Sequence, residues 1–490
     1  MDAHVRFSNK LKLQAPDPAH LEPQNSLSFL ALFFLIALAF CGWGCSSGTG
    51  ALAARALATP TTSASTASPA TAGSGAANPG ATSGSGSPSS TGSPSSTPPP
   101  PNTAPANAVS LLHFGNAGFG GDDTHVFQTA LDFTAANGQT LEIPAGGYNI
   151  NPISFPANSK VFVDAGVTVT ANSGYADGTT MLNISSSNVT ITGASAAVSV
   201  FHMRKSEYTS GEHRHCLNIA NASNVTISGI SCNDSGGDGV YLRSATNVTI
   251  QDSIFNNNRR QGSSIIGQVN HILYLRDHFT NTSGTAPQSG IDIEPNQPAD
   301  FLLDVKIQDC YTDGNSGDGL MVSTWLMNST SQPISITVSG HHSTGNARYG
   351  YIGQNNDPSN APGSILIKDS FSDQSGSYGA AGYFYEADGA ALIFQNLTVT
   401  NPHSRGPSVY GDSAAVAVVR GGGGARPLGN VHFLNVNIDI TDGKTDRYFY
   451  FHDGGGNGVT NVQFIPGTLS GATQAPPNGL LNGVATNEIP

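Results

Sequence analysis

The residues best suited to chemistry stand in one short segment, SGIDIEPN (289–296). Asp292 and Glu294 are two residues apart, so a strand turns both to one face with roughly 6.6 Å between their backbones. Earlier in the chain, GDGVYLR (237–243) offers Tyr241 and Arg243 in the same alternation, with Val240 and Leu242 on the opposite face. Between them SSIIGQ (263–268) supplies Gln268, and later segments bring Ser323 and Gln354, then Glu386 and His452. An acid pair beside a guanidinium, an amide and a phenol can bind and transform a sugar acid. Asp292, Glu294 and Arg243 are the candidate catalytic group, with Tyr241, Gln268, Ser323 and Gln354 beside it. The plain alternative is a solvated face with an ordinary Arg–Glu pair.

A repeat must bring these segments together. Asn-Val-Thr-Ile begins at Asn188, Asn224 and Asn247, and Asn270 and Asp304 continue the series. Further strands read ISITV, SILIKD, ALIFQNL, NVHFLNV and NVQFI, divided by Gly, Asn and Asp turns with no helical pattern between them. Such a period marks a solenoid. The Asn before each strand suits a left-handed turn position, where stacked amides form a ladder. The Asn-x-Ser/Thr sequons this creates read as ladder positions, not glycosylation sites. With coils about 4.8 Å apart, Arg243 and Glu294 lie two coils apart and converge over Gln268. Alignment on the turn Gly sets His215 level with Asp238, and Asp318 at the same place on a later coil. His215 can act as an acid or base there. Asp238 and Asp318 equally suit plain turn chemistry.

The chain segment that opens the repeat carries LLHFGNAGFGGDDTHVFQTALDFTAANGQTLEIPAGGYNI. Asp123 can cap a helix with Val126, Phe127, Ala130, Leu131 and Ala135 on one face, ended by Asn137-Gly138. The Asp122-Asp123 pair reads as capping and turn formation rather than a catalytic dyad. Glycine-rich entry, Asp-Asp-Thr, helix, strand and Pro-Ala-Gly-x-Tyr together resemble the N-terminal segment of the pectate lyase superfamily. The resemblance implies an all-β fold: a right-handed single-stranded parallel β-helix over 109–480 with an N-terminal capping helix. It leaves the chemistry open, because this fold hosts lyases, hydrolases, epimerases and non-catalytic adhesins. The polygalacturonase branch carries Asn-Thr-Asp, Asp-Asp, Gly-His-Gly and Arg-Ile-Lys in order, a series this chain lacks; GHHSTG (340–345) lies off the outward column. IDIEPN faintly resembles the acidic Pro motif of alginate epimerases.

Composition narrows the setting. Of 490 residues, 20 are Lys or Arg and 33 Asp or Glu, a net charge of −13 and 11% charged, against a usual ~25%. So few basic groups exclude a nucleic-acid binder. Glycine reaches 58 residues, as an extracellular all-β chain with many turns would require. Residues 1–45 carry Arg6, Lys10 and Lys12, then an uncharged apolar run from Leu27 to Trp43, then Gly44-Cys45-Ser46. The order resembles a bacterial lipoprotein signal with Cys45 as the lipidation site; an uncleaved membrane anchor is the alternative. Residues 46–108 hold Ser, Thr, Ala, Gly and Pro with Arg55 as the one charge, and read as a disordered tether. Residues 481–490 are a C-terminal tail. Cys216, Cys232 and Cys310 form an odd set without metal-ligand spacing, and Cys310 reads as a buried core thiol.

The sequence therefore predicts an exported, surface-tethered monomer acting on polysaccharide, touching a membrane only through its N-terminal anchor. Glycosidic cleavage by a lyase or hydrolase mechanism is the expected reaction. A lyase would need a base and something to neutralise a uronate carboxylate, a task Ca2+ held by Asp292 and Glu294 could perform. A hydrolase needs paired carboxyls, ~5–5.5 Å apart for retention and ~6.5–9.5 Å for inversion. A uronate C5-epimerase and a non-catalytic glycan-binding or adhesin β-helix remain as alternatives.

Overall fold

The computed structural model describes residues 102–355 and 361–473. The signal or anchor segment with Cys45, the tether up to residue 101 and the C-terminal tail lie outside the described residues. Within them, strands pair with the strand one coil away, and every strand-to-strand pairing is parallel: Val189 with Val225, Val225 with Val248, then Ile272, Val305 and Ile336. These residues point inward and are all 1% exposed or less. Stacked Phe255–Phe279 and Phe394–Phe433 rings, 5.2 and 5.0 Å apart, fill the interior. The result is a parallel β-helix with a continuous apolar core.

One of its sheets concerns function. Its strands are β1 (Leu182–Ile184), β2 (Leu217–Ser228), β3 (Val240–Gln251), β4 (Ser263–Gly267), β5 (Ile291–Ile293), β6 (Leu320–Ser323), β7 (Tyr351–Asn355), β8 (Ala380–Tyr385), β9 (Ala414–Arg420) and β10 (Arg447–Asp453). β2 and β3 bend at a corner and continue into the next sheet.

Helix α1 (Thr124–Ala136) covers the first coil with Phe127, Ala130, Leu131, Thr134 and Ala135 buried. Asp123 stands at the N-cap, but its side chain does not cap the helix. Its carboxylate accepts instead from the Gly118 and Asn149 N–H groups, fastening the entry loop. Asp122 takes the capping role, accepting from the Thr124 N–H at 3.0 Å.

The corners depend on the predicted ladder. Asn188, Asn224 and Asn247 have φ of 62°, 58° and 55°. Asn224 donates to Asn188 at 2.9 Å, and Asn247 to Asn224 at 3.1 Å. On the next coil the ladder position belongs to His271 (φ 56°), not Asn270, because Thr246 pairs with Asn270. Asp304 (φ 51°) then continues it. A second ladder runs inside another corner. Ser253 accepts from the Ile230 N–H, Asp277 from Ser253, the Cys310 thiol from Asp277, and Ser370 from His341. Cys310 is thus a buried thiol with a hydrogen-bonding task. Cys216 and Cys232 form a disulfide that the sequence reading did not pair.

Replacing Asn224 by Ala removes two ladder bonds and leaves a Cβ-bearing residue in a left-handed conformation. The expected loss is about 1–2 kcal/mol, with Asn224→Gly recovering the backbone part. Thermal unfolding of the full chain measures both.

Candidate active site

The turn before each strand of the site sheet sets one column of residues. Backbone bonds run from Cys216 to Asp238, Gly239 to Gln261, Gly262 to Ser289, Gly290 to Asp318 and Gly319 to Tyr349. His215, Asp238, Gln261, Ser289, Asp318 and Tyr349 are therefore stacked, as the alignment of His215, Asp238 and Asp318 predicts. One strand position outward, Asn218, Tyr241, Ser264 and Asp292 are in register.

Arg260 is the hub. Its Nη1 lies 3.4 Å from both Asp238 carboxylate oxygens and 3.3 Å from the Ser264 hydroxyl. Its Nε lies 3.4 Å from Glu212 Oε2. Burial opposes its charge, but Asp238, Asp292, Glu212 and Glu294 outweigh that and hold the guanidinium more firmly charged than usual. Arg348, at the matching place three coils on, repeats the arrangement with Asp318 at 3.5 Å, and its side chain is 45% exposed.

Asp292 points outward but lies beneath this layer, 1% exposed. Gln261 fixes its hydrogen bonding. The Gln261 carbonyl accepts from the Ser289 N–H, so its amide nitrogen must face Asp292 Oδ2, at 2.6 Å. Oδ1 is buried with no partner among the described residues. Burial, then the neighbouring Glu294, pushes the Asp292 carboxyl well above the usual range. Asp318 is raised by burial too, despite Arg348, and its Oδ2 also lacks a partner. Glu294 is half-buried and so reachable from the cleft. Burial raises its carboxyl, with Asp238 and Glu212 adding and Arg260 opposing.

His215 stacks on Tyr241 at 4.7 Å and receives the Asp238 N–H at Nδ1, 3.0 Å away. Accepting there leaves the ring proton on Nε2. Burial lowers its pKa to about 4, so the ring is neutral. Burial likewise raises the Tyr241 hydroxyl, which meets Arg243.

The structure does not bring Arg243 and Glu294 together over Gln268. Register slips after Leu242, so Arg243 pairs with Gly267. Gln268 turns away with φ of 55° and accepts from the Ser244 hydroxyl. Ser323 and Gln354 are in register with each other and follow Val322 and Gly353 on the cleft side. Tyr383 and Val419, not Glu386, lead to His452; Glu386 is buried beside Arg420, 3.5 Å away. Arg260 and Glu212 escaped the sequence reading because neither lies on a strand: one is in a turn, the other in the loop before β2.

Ca2+ does not fit Asp292 and Glu294. It takes about six to eight oxygens, whereas here an amide N–H faces Asp292, burial drives both carboxyls toward the protonated form, and Arg260 supplies positive charge. Two open hollows of about 600 and 570 Å³, around His202–Lys205 and Asn102–Thr103, lie away from this cluster.

The raised Asp292 has a signed consequence. The folded state keeps a proton that the unfolded chain releases near the ordinary aspartate value. Its favourable contribution is complete at low pH and declines as pH rises towards the folded-state value. Asp292→Asn keeps the Gln261 bond without that penalty. Its melting temperature is expected to match the parent near pH ~4 and exceed it near pH ~8; equal melting curves at both would refute the raised value.

No protein-family model matches the chain, and no curated protein matches it significantly. Solved structures do. The A-module of the mannuronan C-5 epimerase AlgE4 from Azotobacter vinelandii superposes with a TM-score of 0.56, 16% identity, over 75% of this chain and 98% of that one. The AlgE6 A-module from the same organism gives 0.52 and 15%, over 75% and 100%. The tailspike protein of E. coli bacteriophage HK620, in complex with a pentasaccharide, gives 0.50 and 13%, over 75% and 67%. At these identities the likeness is one of fold: the chain is a right-handed parallel β-helix.

Proposed function

We propose that this chain cleaves a polysaccharide by hydrolysis, with Glu294 as proton donor and Glu212 as the base that activates water. The observation that carries the reading is Glu294 itself: a reachable carboxyl, raised by burial, across Arg260 from a second reachable carboxylate. Glu294 gives its proton to the leaving oxygen as the glycosidic bond breaks, and Glu212 takes one from the incoming water. Arg260 holds Glu212 in place, and burial together with the Asp238 and Glu212 carboxylates keeps the proton on Glu294. The named substrate of the epimerases and the pentasaccharide on the tailspike support a glycan as the ligand. Export fits the Cys216–Cys232 disulfide, since such bonds persist in oxidising compartments. Tethering through residues 1–45 completes the reading.

A second reading has its own support. His215 is neutral, its Nε2 has no partner in the described residues, and Tyr241 and Arg260 stand beside it. That set can donate a proton from Nε2 and hold a uronate carboxylate, two of the tasks that a lyase or C5-epimerase requires. The products separate the readings. Hydrolysis yields new reducing ends alone; elimination adds an unsaturated, ultraviolet-absorbing end; epimerisation exchanges hydrogen with solvent at constant chain length. A glycan bound but unchanged would mark a non-catalytic module.

Glu294→Gln is expected to lower kcat by about 10²–10⁴-fold, the usual weight of a positioned proton donor, while polysaccharide binding persists. Because the donor must be protonated and the base must be free to take a proton, kcat should follow a bell-shaped pH profile, falling in acid and falling again as pH rises through a midpoint above the ordinary glutamate value. Wild-type turnover in Glu294→Gln would rule out the assignment.

A further inference from the structure

The outward column of the site sheet changes character between β5 and β6. Through β5 it reads Asn218, Tyr241, Ser264 and Asp292; from β6 it reads Met321, Ile352, Ala381 and Ala417. Outward positions on a solenoid normally meet water, yet these four are 0–6% exposed. A layer of tyrosines accompanies them and forms an apolar cluster separate from the core. Tyr349 and Tyr378 come from the turn column, with rings 5.8 Å apart. Tyr383 lies 6.2 Å from Tyr349. Tyr410 comes from the long connection 401–413 and packs 5.1 Å from His452, which stacks on Tyr450.

That connection is fastened over the sheet. The Tyr378 hydroxyl donates to Asp412 at 2.7 Å, the Ser408 hydroxyl donates to the same carboxylate, and His403 Nε2 contacts the Ala414 carbonyl at 2.7 Å. Tyr383, Tyr410 and Tyr450 nevertheless remain partly exposed. The layer starts where the acid cluster ends, since Arg348 reaches Asp318 and lies 5.7 Å from the centre of the Tyr349 ring.

We propose that Tyr383, Tyr410 and Tyr450 form a saccharide-binding platform continuous with the acid cluster, holding uncharged sugar rings on one side of the bond to be cleaved. The proposal rests on the reading of that cluster as a cleavage site. A tyrosine offers an apolar face to the C–H side of a pyranose and a hydroxyl to its rim. The occupant is uncharged because the platform offers it aromatic faces and no free charge of its own: Arg447 pairs with Asp446 through two 3.0 Å bonds, and Asp412 is buried against the Tyr378 and Ser408 hydroxyls. Running along the helix axis, the platform would extend the substrate's contacts without touching the reacting atoms.

The test uses the full chain, the polysaccharide that the wild type cleaves, and its oligosaccharides of increasing length. Tyr383→Ala and Tyr410→Ala should each raise KM for the polymer by about tenfold with kcat within about twofold. The effect should vanish on the shortest cleaved oligosaccharide. Tyr410→Phe, which keeps the ring, should restore most of the affinity, and Val409→Ala, at a residue 88% exposed beside it, should change nothing. Unchanged KM in both alanine variants would overturn the platform. If the wild type binds a neutral polysaccharide without cleaving it, and binding still depends on Tyr383 and Tyr410, the platform stands and the cleavage reading falls.

Discussion

Every feature of this protein depends on the hydrogen bond from one coil to the next. Parallel pairing fixes the coil rise at about 4.8 Å, so any residue type that suits one coil suits its neighbours at the same place. Inward places become the continuous apolar column from Val189 to Ile336. Corner places become ladders, because the left-handed turn at Asn188, Asn224 and Asn247 recurs with the same φ. Outward places become tracks that run from coil to coil, whose chemistry changes only where the residue type changes. The fold therefore offers a linear track of strand residues, completed by side chains from the turns and connections beside it.

The same constraint explains how a chain so poor in charge tolerates buried acids. Stacking places Asp238, Gln261, Ser289 and Asp318 in line, and the outward Asp292 beside them. Buried carboxylates without partners would be costly. Two arginines one strand position outside the column relieve part of that cost, and burial shifts the proton equilibrium of the rest. The two clamps differ in a telling way. Arg260 is shared among Asp238, Ser264 and Glu212, whereas Arg348 meets Asp318 through Nε, lies over the Tyr349 ring and is much more exposed. Arg260 is thus a positioning group within the protein, and Arg348 is open towards the cleft.

The sequence revealed the parts that repeat and hid the parts that do not. Spacing of the Asn-Val-Thr-Ile segments was enough for the fold, and alignment on the turn Gly was enough to stack His215, Asp238 and Asp318. One extra residue at Ile266–Gly267 defeated the alignment of Gln268 and separated Arg243 from Glu294. A bulge is a single-residue irregularity that alternation does not register. Arg260 and Glu212 had no repeat to reveal them, since turns and long connections differ from coil to coil. The Cys216–Cys232 bridge joins the turn before β2 to a short strand that follows it on the same coil, a proximity visible only once the coil closes.

On the proposed reading, the polar-to-apolar change between Asp292 and Met321 is a division of labour along one track. Proton transfer needs carboxyls whose proton affinity is tuned, and tuning needs burial beside charge, which β3 to β6 provide through Arg260, Asp238 and Asp318. Holding a sugar chain needs area without charge, because each desolvated ion would add a cost that a neutral ring does not repay. Tyrosines meet that need with rigid rings and one polar edge, and β8, β10 and the connection 401–413 provide them. Had the acids been spread along the whole track, each would have needed its own guanidinium, in a chain with 20 Lys and Arg in all. Concentrating the charge at two clamps, and leaving the remaining coils to aromatic contact, is the arrangement that so small a supply of cations allows.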